Sequence, residues 1–283
     1  MVPIEYVQQA DDPRIADYRG VPDPVLLRER GVFVAEGRLV VRTLLAASRC
    51  EVASLLVTPQ GLEALGDLVA GRPELRVFVA GPDVLAGIVG FNVHRGCLAV
   101  GRRPAPVSVV DTLRAASGRS LIVVLEQVGN ADNVGAIFRN ARAFGAGCVL
   151  LSPGCCDPLY RKAIRVSIGA SLRVPFAEVG TWPEGLEAVR AAGYELVALT
   201  PHGVTDELLE FAAARPRRVA LLVGHDGDGL TAGAIARADR RVRIGMARGV
   251  DSVNVAAAAA IAMYVCARGM PGAGVEPDAA WRT

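Results

Sequence analysis

The stretch "SLIVVLEQVGNADNVGAIFRNARAFGAGCVLLS", residues 120–152, contains the pattern that decides the fold class. Two short runs rich in β-branched residues, "SLIVVLEQ" and "GCVLLS", flank a segment whose apolar residues recur at helical spacing. These apolar residues are Val134, Ile137, Phe138, Ala141 and Phe144. Asp132 or Asn133 is predicted to cap the helix. The stretch therefore predicts a strand, a loop, a helix and a second strand.

The same alternation of strand and helix patterns continues along the chain. Further strand candidates are "LRVPFAEV", "YELVALT", "RVALLVGHD" and "RVRIGMA", each separated from the next by a segment with helical periodicity. Such alternation predicts an α/β fold with a mostly parallel sheet that is covered on both faces. Ligands of such sheets collect at the carboxyl ends of the strands.

A second, smaller α/β series precedes this one, and its strand candidates are "VFVAEG", "VASLLVTP", "LRVFVAG" and "GCLAVGRR". A chain of 283 residues exceeds the usual size of a domain with a single hydrophobic core, so two domains are expected. The proline-interrupted stretch "RRPAPVS" predicts a linker between them. We predict an N-terminal domain at 1–103, a linker at 104–108, a second domain at 109–269 and a flexible tail at 270–283.

Composition indicates a soluble globular enzyme, with 52% hydrophobic and 21% charged residues. The longest apolar run, Val255 to Ala267, is shorter than the roughly 20 residues that span a bilayer, so it predicts a core helix and no membrane partner. The N-terminus lacks the pattern of a secretory signal, and the predicted location is the cytoplasm. The 6 cysteines contain no CxxC pair, which predicts reduced, mostly buried thiols and no metal site.

Charge alone leaves the partner open, because the net charge is only +2. Lys162 is the only lysine among 31 basic residues, and the arginines form clusters, for example at Arg139/Arg142 and Arg240/Arg241/Arg243. Guanidinium groups suit bidentate phosphate contacts. A genome-wide preference for arginine codons explains the missing lysines equally well. At this point Arg139, which lies off the apolar stripe of its helix, is either a solvated arginine or a functional one.

The second notable loop is "LLVGHDGDGLT", residues 221–231, in which three glycines follow a buried strand. Glycines allow the backbone to turn tightly and to approach a ligand. The order of the glycines is not that of the dinucleotide fingerprint, and no acidic residue follows at the required distance. His225, Asp226 and Asp228 fit a capped turn better than a metal site.

The third loop is "IGMARGVDSVNVAAAAA", residues 244–260, where a strand is predicted to end near Met246 and a helix to begin after Asn254 as its cap. Capping leaves Asp251 and Ser252 unexplained. The alanines predict close packing of the helix, either against the sheet or against a second copy of the protein. A polar loop at the carboxyl end of a strand is typical of a pocket for a small ligand.

Together, the stretches "NADNVGAIFRNARAFGA", "VGHDGDGL" and "IGMARGVDSVNVAAAAA" resemble the three motifs of the SpoU/TrmH branch of the SPOUT RNA methyltransferases. The stretch "RKAIRVSIGASLRVPF" resembles the segment that this family carries between its first two motifs. The N-terminal stretches "FVAEGRLVVRTLLAASRCEVASLLVTP" and "HRGCLAVGRRP" are similar to an L30e-like substrate-binding domain. The resemblance extends over residues 30 to 269.

The resemblance implies an α/β fold with a trefoil knot, a homodimer, and methyl transfer from S-adenosyl-L-methionine to a ribose 2′-hydroxyl of RNA. It implies that backbone groups of Gly224, Ile244 and Val253 hold the cofactor, with Met246 and Gly229 nearby. Asn133 and Arg139 match the polar residues of the first motif, and Ser252 and Asn254 match those of the third. Asp226 stands where the family usually has glutamate, and Gly245 replaces a usual proline.

The roles expected of these residues follow from their chemistry. A guanidinium does not release its proton in proteins, so Arg139 is expected to bind an RNA phosphate and to stabilise the developing alkoxide, in its own subunit or across a dimer. Ser252 and Asn254 are expected to orient the hydroxyl or the carboxylate of the cofactor, and Asp226 to brace its loop.

Two alternatives to this enzyme remain at the level of the sequence. One is a catalytically silent RNA-binding or ribosome-assembly factor with the same fold. The other is an NAD- or nucleotide-dependent enzyme, which the missing GxGxxG disfavours. Structured RNA is the expected partner, with ribosomal RNA slightly preferred over transfer RNA.

Overall fold

The computed structural model describes residues 2–89, 96–118, 120–214, 217–225 and 227–268. It divides into two compact units. The first comprises Met1–Ala105 and Asp157–Arg173, and the second comprises Pro106–Cys156 and Val174–Thr283. The predicted tail at 270–283 lies outside the described residues. Residues 103–108, which include the predicted linker, have no regular secondary structure.

The first unit is built around a mixed sheet. Its strands are β1 Ile4–Val7, β2 Val32–Glu36, β3 Val52–Val57, β4 Arg76–Ala80 and β5 Cys97–Arg102. Its helices before residue 105 are α1 Asp23–Glu29, α2 Arg38–Ala47, α3 Pro59–Glu63, α4 Gly66–Val69 and α5 Pro82–Val89, with a 3-10 helix at Pro13–Tyr18. The strand order is β1-β4-β3-β5-β2, in which β5 runs antiparallel to both of its neighbours. The L30e-like character of this unit stays a prediction.

The elements of the second unit alternate, as the sequence predicts. They begin with α6 Val109–Ala115, β6 Leu121–Leu125, α7 Ala131–Ala143 and β7 Val149–Leu151. The next helix along the chain, α8 Arg161–Val166, belongs to the first unit. The second unit continues with β8 Phe176–Glu178, α9 Glu187–Ala191, β9 Glu195–Leu199, β10 Asp206–Glu207, α10 Leu208–Ala213, β11 Val219–Val223, α11 Ala232–Arg237, β12 Arg240–Arg243 and α12 Val255–Arg268.

The sheet of the second unit has the order β10-β12-β9-β11-β6-β7-β8, and each of its neighbouring pairs is parallel. Every residue of β6 and β11 is buried, as expected for central strands that are covered on both faces. Helix α12 packs against α7, β11 and β6. The predicted parallel α/β fold is therefore confirmed. The knot that the resemblance implies stays a prediction.

One segment predicted to lie in the second domain packs with the first unit instead. Helix α8 lies against β2, where the Nε of Arg161 donates to the Glu36 carboxylate at 2.9 Å. The backbone N–H of Arg161 also donates to Asp23 at 3.0 Å. Glu36 is only 8% exposed, so it needs this charged partner. The predicted domain 109–269 is therefore interrupted by residues 157–173.

Three further details differ from the predictions. The cap of α7 is Asn130, whose side chain accepts from the backbone N–H groups of Asp132 and Asn133, so neither of the predicted residues is the cap. Strand β12 ends at Arg243, before Met246. The short, partly exposed strands β1 and β10 were not predicted.

The predicted state of the cysteines is confirmed, because all 6 are free and only Cys155 is partly exposed. In the part of the chain that the structure describes, no helix combines the length and the apolar character that crossing a membrane requires.

Candidate functional site

A cavity of about 380 Å³ opens at the carboxyl ends of β9, β11 and β12. Its walls come from residues 199–202, 223–225 and 227–230, from Ile244, Met246 and residues 251–253 after β12, and from side chains of α11 and the first turn of α12. Because these strands are parallel neighbours, the loops that follow them meet at one edge of the sheet. The structure thereby brings together six residues predicted from distant parts of the sequence. These are Gly224, Gly229, Ile244, Met246, Ser252 and Val253.

The loop after β11, residues 224–225 and 227–230, is the glycine loop, and it folds back on itself to form one wall of the cavity. His225 and Gly229 exchange two backbone hydrogen bonds, of 3.1 and 3.2 Å. A Cβ atom added at Gly224 would lie 2.3 Å from the carbonyl carbon of Gly229 and 2.5 Å from the nitrogen of Leu230. Only glycine therefore allows this approach of main chain to main chain. Asp226, which was predicted to brace the loop, lies outside the described residues.

Asn254 caps α12, as predicted, and also contacts α7. Its Oδ1 accepts from the backbone N–H groups of Ala256, at 3.0 Å, and Ala257, at 3.4 Å. Its Nδ2 donates to Oδ1 of Asn133 at 3.0 Å. Asn133 is 6% exposed. The two asparagines predicted from the first and third motifs are therefore in direct contact, and they join the loop before α12 to α7.

Arg139 lies apart from this group. It is exposed on α7, and its side chain is not part of the cavity wall. Among the described residues, no hydrogen bond or ion pair to its guanidinium is found. The structure therefore leaves Arg139 available to a partner from outside the chain.

The loop that begins the first motif is supported by the loop after β7. The Oγ of Ser152 accepts from the backbone N–H of Gln127 at 2.9 Å, and the backbone N–H of Cys156 donates to the carbonyl of Val128. Gln127 has a φ of 54°, a strained conformation for a residue with a side chain. Burial raises the pKa of the Cys155 thiol, so its protonated Sγ donates to the carbonyl of Leu125 at 3.4 Å.

The sequence did not predict two groups of residues at or beside the cavity. Pro201 and His202 line the cavity after β9, and their position after a buried strand was the available signal. Glu126 is 1% exposed and accepts hydrogen bonds from Trp182 and Thr231. A carboxylate directly after the apolar run of β6 was again the signal, but its partners lie far along the chain.

The charges of the cavity indicate which ligand it can hold. The charged side chains that line it among the described residues are Asp228 and Asp251, together with the imidazoles of His202 and His225, and no arginine or lysine is among them. The Asp228 carboxylate lies 3.9 Å from Nδ1 of His225, and carboxylates with no arginine or lysine beside them in the wall favour a cation over a phosphate. Apolar side chains such as Ile244 and Met246 complete the wall. The cavity therefore fits a sulfonium cofactor better than a dinucleotide.

Comparison with known sequences gives consistent matches. The sequence profile of the SpoU rRNA Methylase family matches residues 120–264. An uncharacterized tRNA/rRNA methyltransferase of Mycobacterium tuberculosis is 43% identical over 269 residues, which cover 92% of this chain and 91% of that protein. The 23S rRNA (guanosine-2′-O-)-methyltransferase RlmB of Bordetella pertussis is 28% identical over 200 residues, which cover 70% of this chain and 80% of that protein.

Solved structures with the same fold include two that cover most of the chain. The SpoU methyltransferase AviRb of Streptomyces viridochromogenes, in complex with the cofactor AdoMet, superposes with a TM-score of 0.75 at 25% identity. A putative RNA methyltransferase of the TrmH family from Porphyromonas gingivalis also has a TM-score of 0.75, at 26% identity. Each match covers 91% of this chain and 98% of the other.

Proposed function

Because the chain belongs to the SpoU rRNA methylase family, we propose that it transfers a methyl group from S-adenosylmethionine to a ribose 2′-hydroxyl of RNA. Family membership makes it an S-adenosylmethionine-dependent RNA methyltransferase. The ribose 2′-oxygen as acceptor is supported by the similarity to RlmB, whose name specifies guanosine-2′-O methylation. The resemblance of the three sequence motifs supports the same reaction.

The observation that carries the proposal is the convergence of three loops on one cavity. Gly224, Ile244 and Val253 lie up to 29 residues apart in sequence, and all of them line it. S-adenosylmethionine carries its methyl group on a sulfonium, and the Asp228 and Asp251 carboxylates of the cavity attract such a cation. We propose that main-chain groups of these three residues bind the cofactor, with Gly229 and Met246 beside them.

Placement is the main contribution of the protein to such a transfer. Ser252 lines the cavity, and Asn254 follows it by two residues with its side chain fixed by α12 and by Asn133. We propose that Ser252 and Asn254 orient the acceptor hydroxyl or the cofactor. Arg139 binds an RNA phosphate and stabilises the charge that develops on the ribose oxygen. We also propose that the Asp226 carboxylate braces its loop.

The position of Arg139 supports a homodimer. Its guanidinium is exposed and is not part of the cavity wall of its own subunit. Next to α7, helix α12 exposes Ile261 and Tyr264, which are 41% and 43% accessible. Large exposed side chains one turn apart on the same helix are typical of a protein interface. We propose that a second copy covers them and that Arg139 acts at the partner subunit's cavity.

Ribosomal RNA is the proposed substrate class, because the matching family is named for rRNA methylation and RlmB acts on 23S rRNA. The relative from Mycobacterium tuberculosis is named for both tRNA and rRNA, so transfer RNA is the second candidate. We propose that the first unit recognises structured RNA by shape and unpaired bases.

The proposal is tested by two measurements on the purified protein. Calorimetric titration is expected to show binding of S-adenosylmethionine and no binding of NAD. Tritiated methyl groups are expected to enter rRNA from a strain of the source organism that lacks this protein. Cofactor binding without transfer to rRNA or tRNA would favour the catalytically silent RNA-binding factor. Binding of NAD instead would contradict the assignment of the cavity.

A further inference from the structure

Glu126 is a buried carboxylate that lies outside the cavity wall but contacts the end of the glycine loop. It follows β6 directly and is 1% exposed. Its Oε1 accepts from the indole Nε1 of Trp182 at 2.5 Å and from Oγ1 of Thr231 at 2.7 Å. Its Oε2 accepts from the backbone N–H of Thr231 at 2.8 Å. All three donors are uncharged, so the side chain is held by hydrogen bonds alone.

The pattern of donors requires a carboxylate at this position. An N–H group faces each of the two oxygens, from Trp182 on one side and from the backbone of Thr231 on the other. Neither N–H can rotate to become an acceptor. A glutamine of the same shape would therefore place its own NH₂ group against one of them, whichever way the amide is turned. One buried donor would lose its partner, which destabilises this arrangement specifically.

The contact with Thr231 fixes the glycine loop at its second end. Thr231 follows Leu230, which lines the cavity, and its Oγ1 caps α11 by accepting from the backbone N–H of Ala234. The loop begins at Gly224, directly after β11, and its main chain closes on Gly229 and Leu230. The position of Leu230 therefore depends on β11 at one end of the loop and on Glu126 at the other.

We propose that Glu126 is a positioning residue that holds the glycine loop, residues 224–225 and 227–230, in the shape that binds S-adenosylmethionine. This rests on the proposed function for the identity of the ligand. Glu126 acts through Thr231 and does not touch the cofactor itself. Its removal changes the affinity for the cofactor, while the catalytic group around Asn254 keeps its own contacts.

The test is the substitution Glu126→Gln, with Glu184→Gln as a matched control. Glu184 lies outside α11 and accepts from Arg237 at the opposite end of that helix from Thr231, so the control removes a carboxylate that contacts the same helix without affecting the loop. Glu126→Gln is expected to weaken S-adenosylmethionine binding by about tenfold to hundredfold, as expected for one unpaired buried donor. Glu184→Gln and the conservative variant Thr231→Ser are expected to bind as the wild type does.

Steady-state kinetics separate positioning from general loss of structure. In Glu126→Gln the KM for S-adenosylmethionine is expected to rise by the same factor, whereas the KM for RNA and kcat at saturating cofactor change by less than about twofold. A kcat that falls while the cofactor affinity stays at the wild-type value would overturn the proposal.

Amide hydrogen exchange provides a test that needs no ligand. Faster exchange at residues 227–231 is expected in Glu126→Gln, and unchanged exchange there overturns the proposal even if the cofactor proves to be a different one. A wild-type protein that does not bind S-adenosylmethionine contradicts the proposed function instead. If Glu126→Gln does not fold, Trp182→Phe is the alternative variant, because it removes only the indole N–H that donates to Glu126. It is expected to weaken cofactor binding and to speed exchange at residues 227–231, both by less than Glu126→Gln would.

Discussion

The substitution Gly224→Ala tests the cofactor loop with the least change to the chain. The added Cβ would lie 2.3 Å from the carbonyl carbon of Gly229 and 2.5 Å from both its oxygen and the nitrogen of Leu230. All three atoms belong to the backbone, so no side chain can rotate away. Ordinary van der Waals contact begins at 3.4 Å, which requires the loop to move by about 1 Å. Overpacking of this kind costs about 1–3 kcal/mol.

A shift of about 1 Å in a wall that positions a substrate lowers activity by about a hundredfold. Gly224→Ala is therefore expected to lower kcat/KM for S-adenosylmethionine by about that factor and to weaken its binding in calorimetry. Gly180→Ala is the matched control, because a Cβ there meets no atom within 4 Å. Wild-type cofactor affinity in a folded Gly224→Ala protein would refute the assignment of this loop to the cofactor.

Three further predictions concern the remaining groups. Asn254→Asp keeps the cap of α12, so the free energy of unfolding is expected to change by less than about 1 kcal/mol. The aspartate cannot donate to Asn133, and methyl transfer is therefore expected to fall at least tenfold. Wild-type turnover would contradict the role of this contact. Arg139→Ala is expected to change the free energy of unfolding by less than about 0.5 kcal/mol and to leave cofactor affinity unchanged. Methyl transfer is expected to fall by about a hundredfold. Retained transfer would remove Arg139 from the mechanism. Burial raises the pKa of Cys148 from about 9 to about 12. Because only the unfolded thiol ionises in this range, wild-type stability falls as the pH rises above about 9. The difference in unfolding free energy between wild type and Cys148→Ala is expected to narrow from about pH 8 to about pH 10, and a constant difference would contradict the burial effect.

The alternation of apolar runs was sufficient to predict the parallel sheet, because strands buried on both faces and helices with one apolar face have distinct periodicities. Residues 120–152 show this directly, since both strands and the helix between them were predicted. Short edge strands such as Ile4–Val7 and Asp206–Glu207 lack this signal because they are partly exposed. Residues 157–173 could not be assigned to the first unit, because their docking depends on contacts such as Arg161 with Glu36, 125 residues away.

The candidate site was predictable only in part, for the same reason. Asn254 follows a polar loop and precedes a helix, so local sequence is sufficient to identify it as a cap. Asn130 was missed because Asp132 and Asn133 are also capping residues, and only the backbone conformation decides among them. Glu126 depends on Trp182 and Thr231, which lie 56 and 105 residues away, and no local pattern indicates such partners.

The most direct test of the proposed reaction is to locate the transferred methyl group. Ribosomal RNA from a strain that lacks the protein is incubated with the purified enzyme and isotopically labelled S-adenosylmethionine, digested to nucleosides, and analysed by mass spectrometry. A labelled nucleoside that carries the methyl group on its ribose 2′-oxygen is expected, and it is expected to be strongly reduced with the Arg139→Ala protein. Label on a base, or no label in any RNA although the cofactor is bound, would contradict the account.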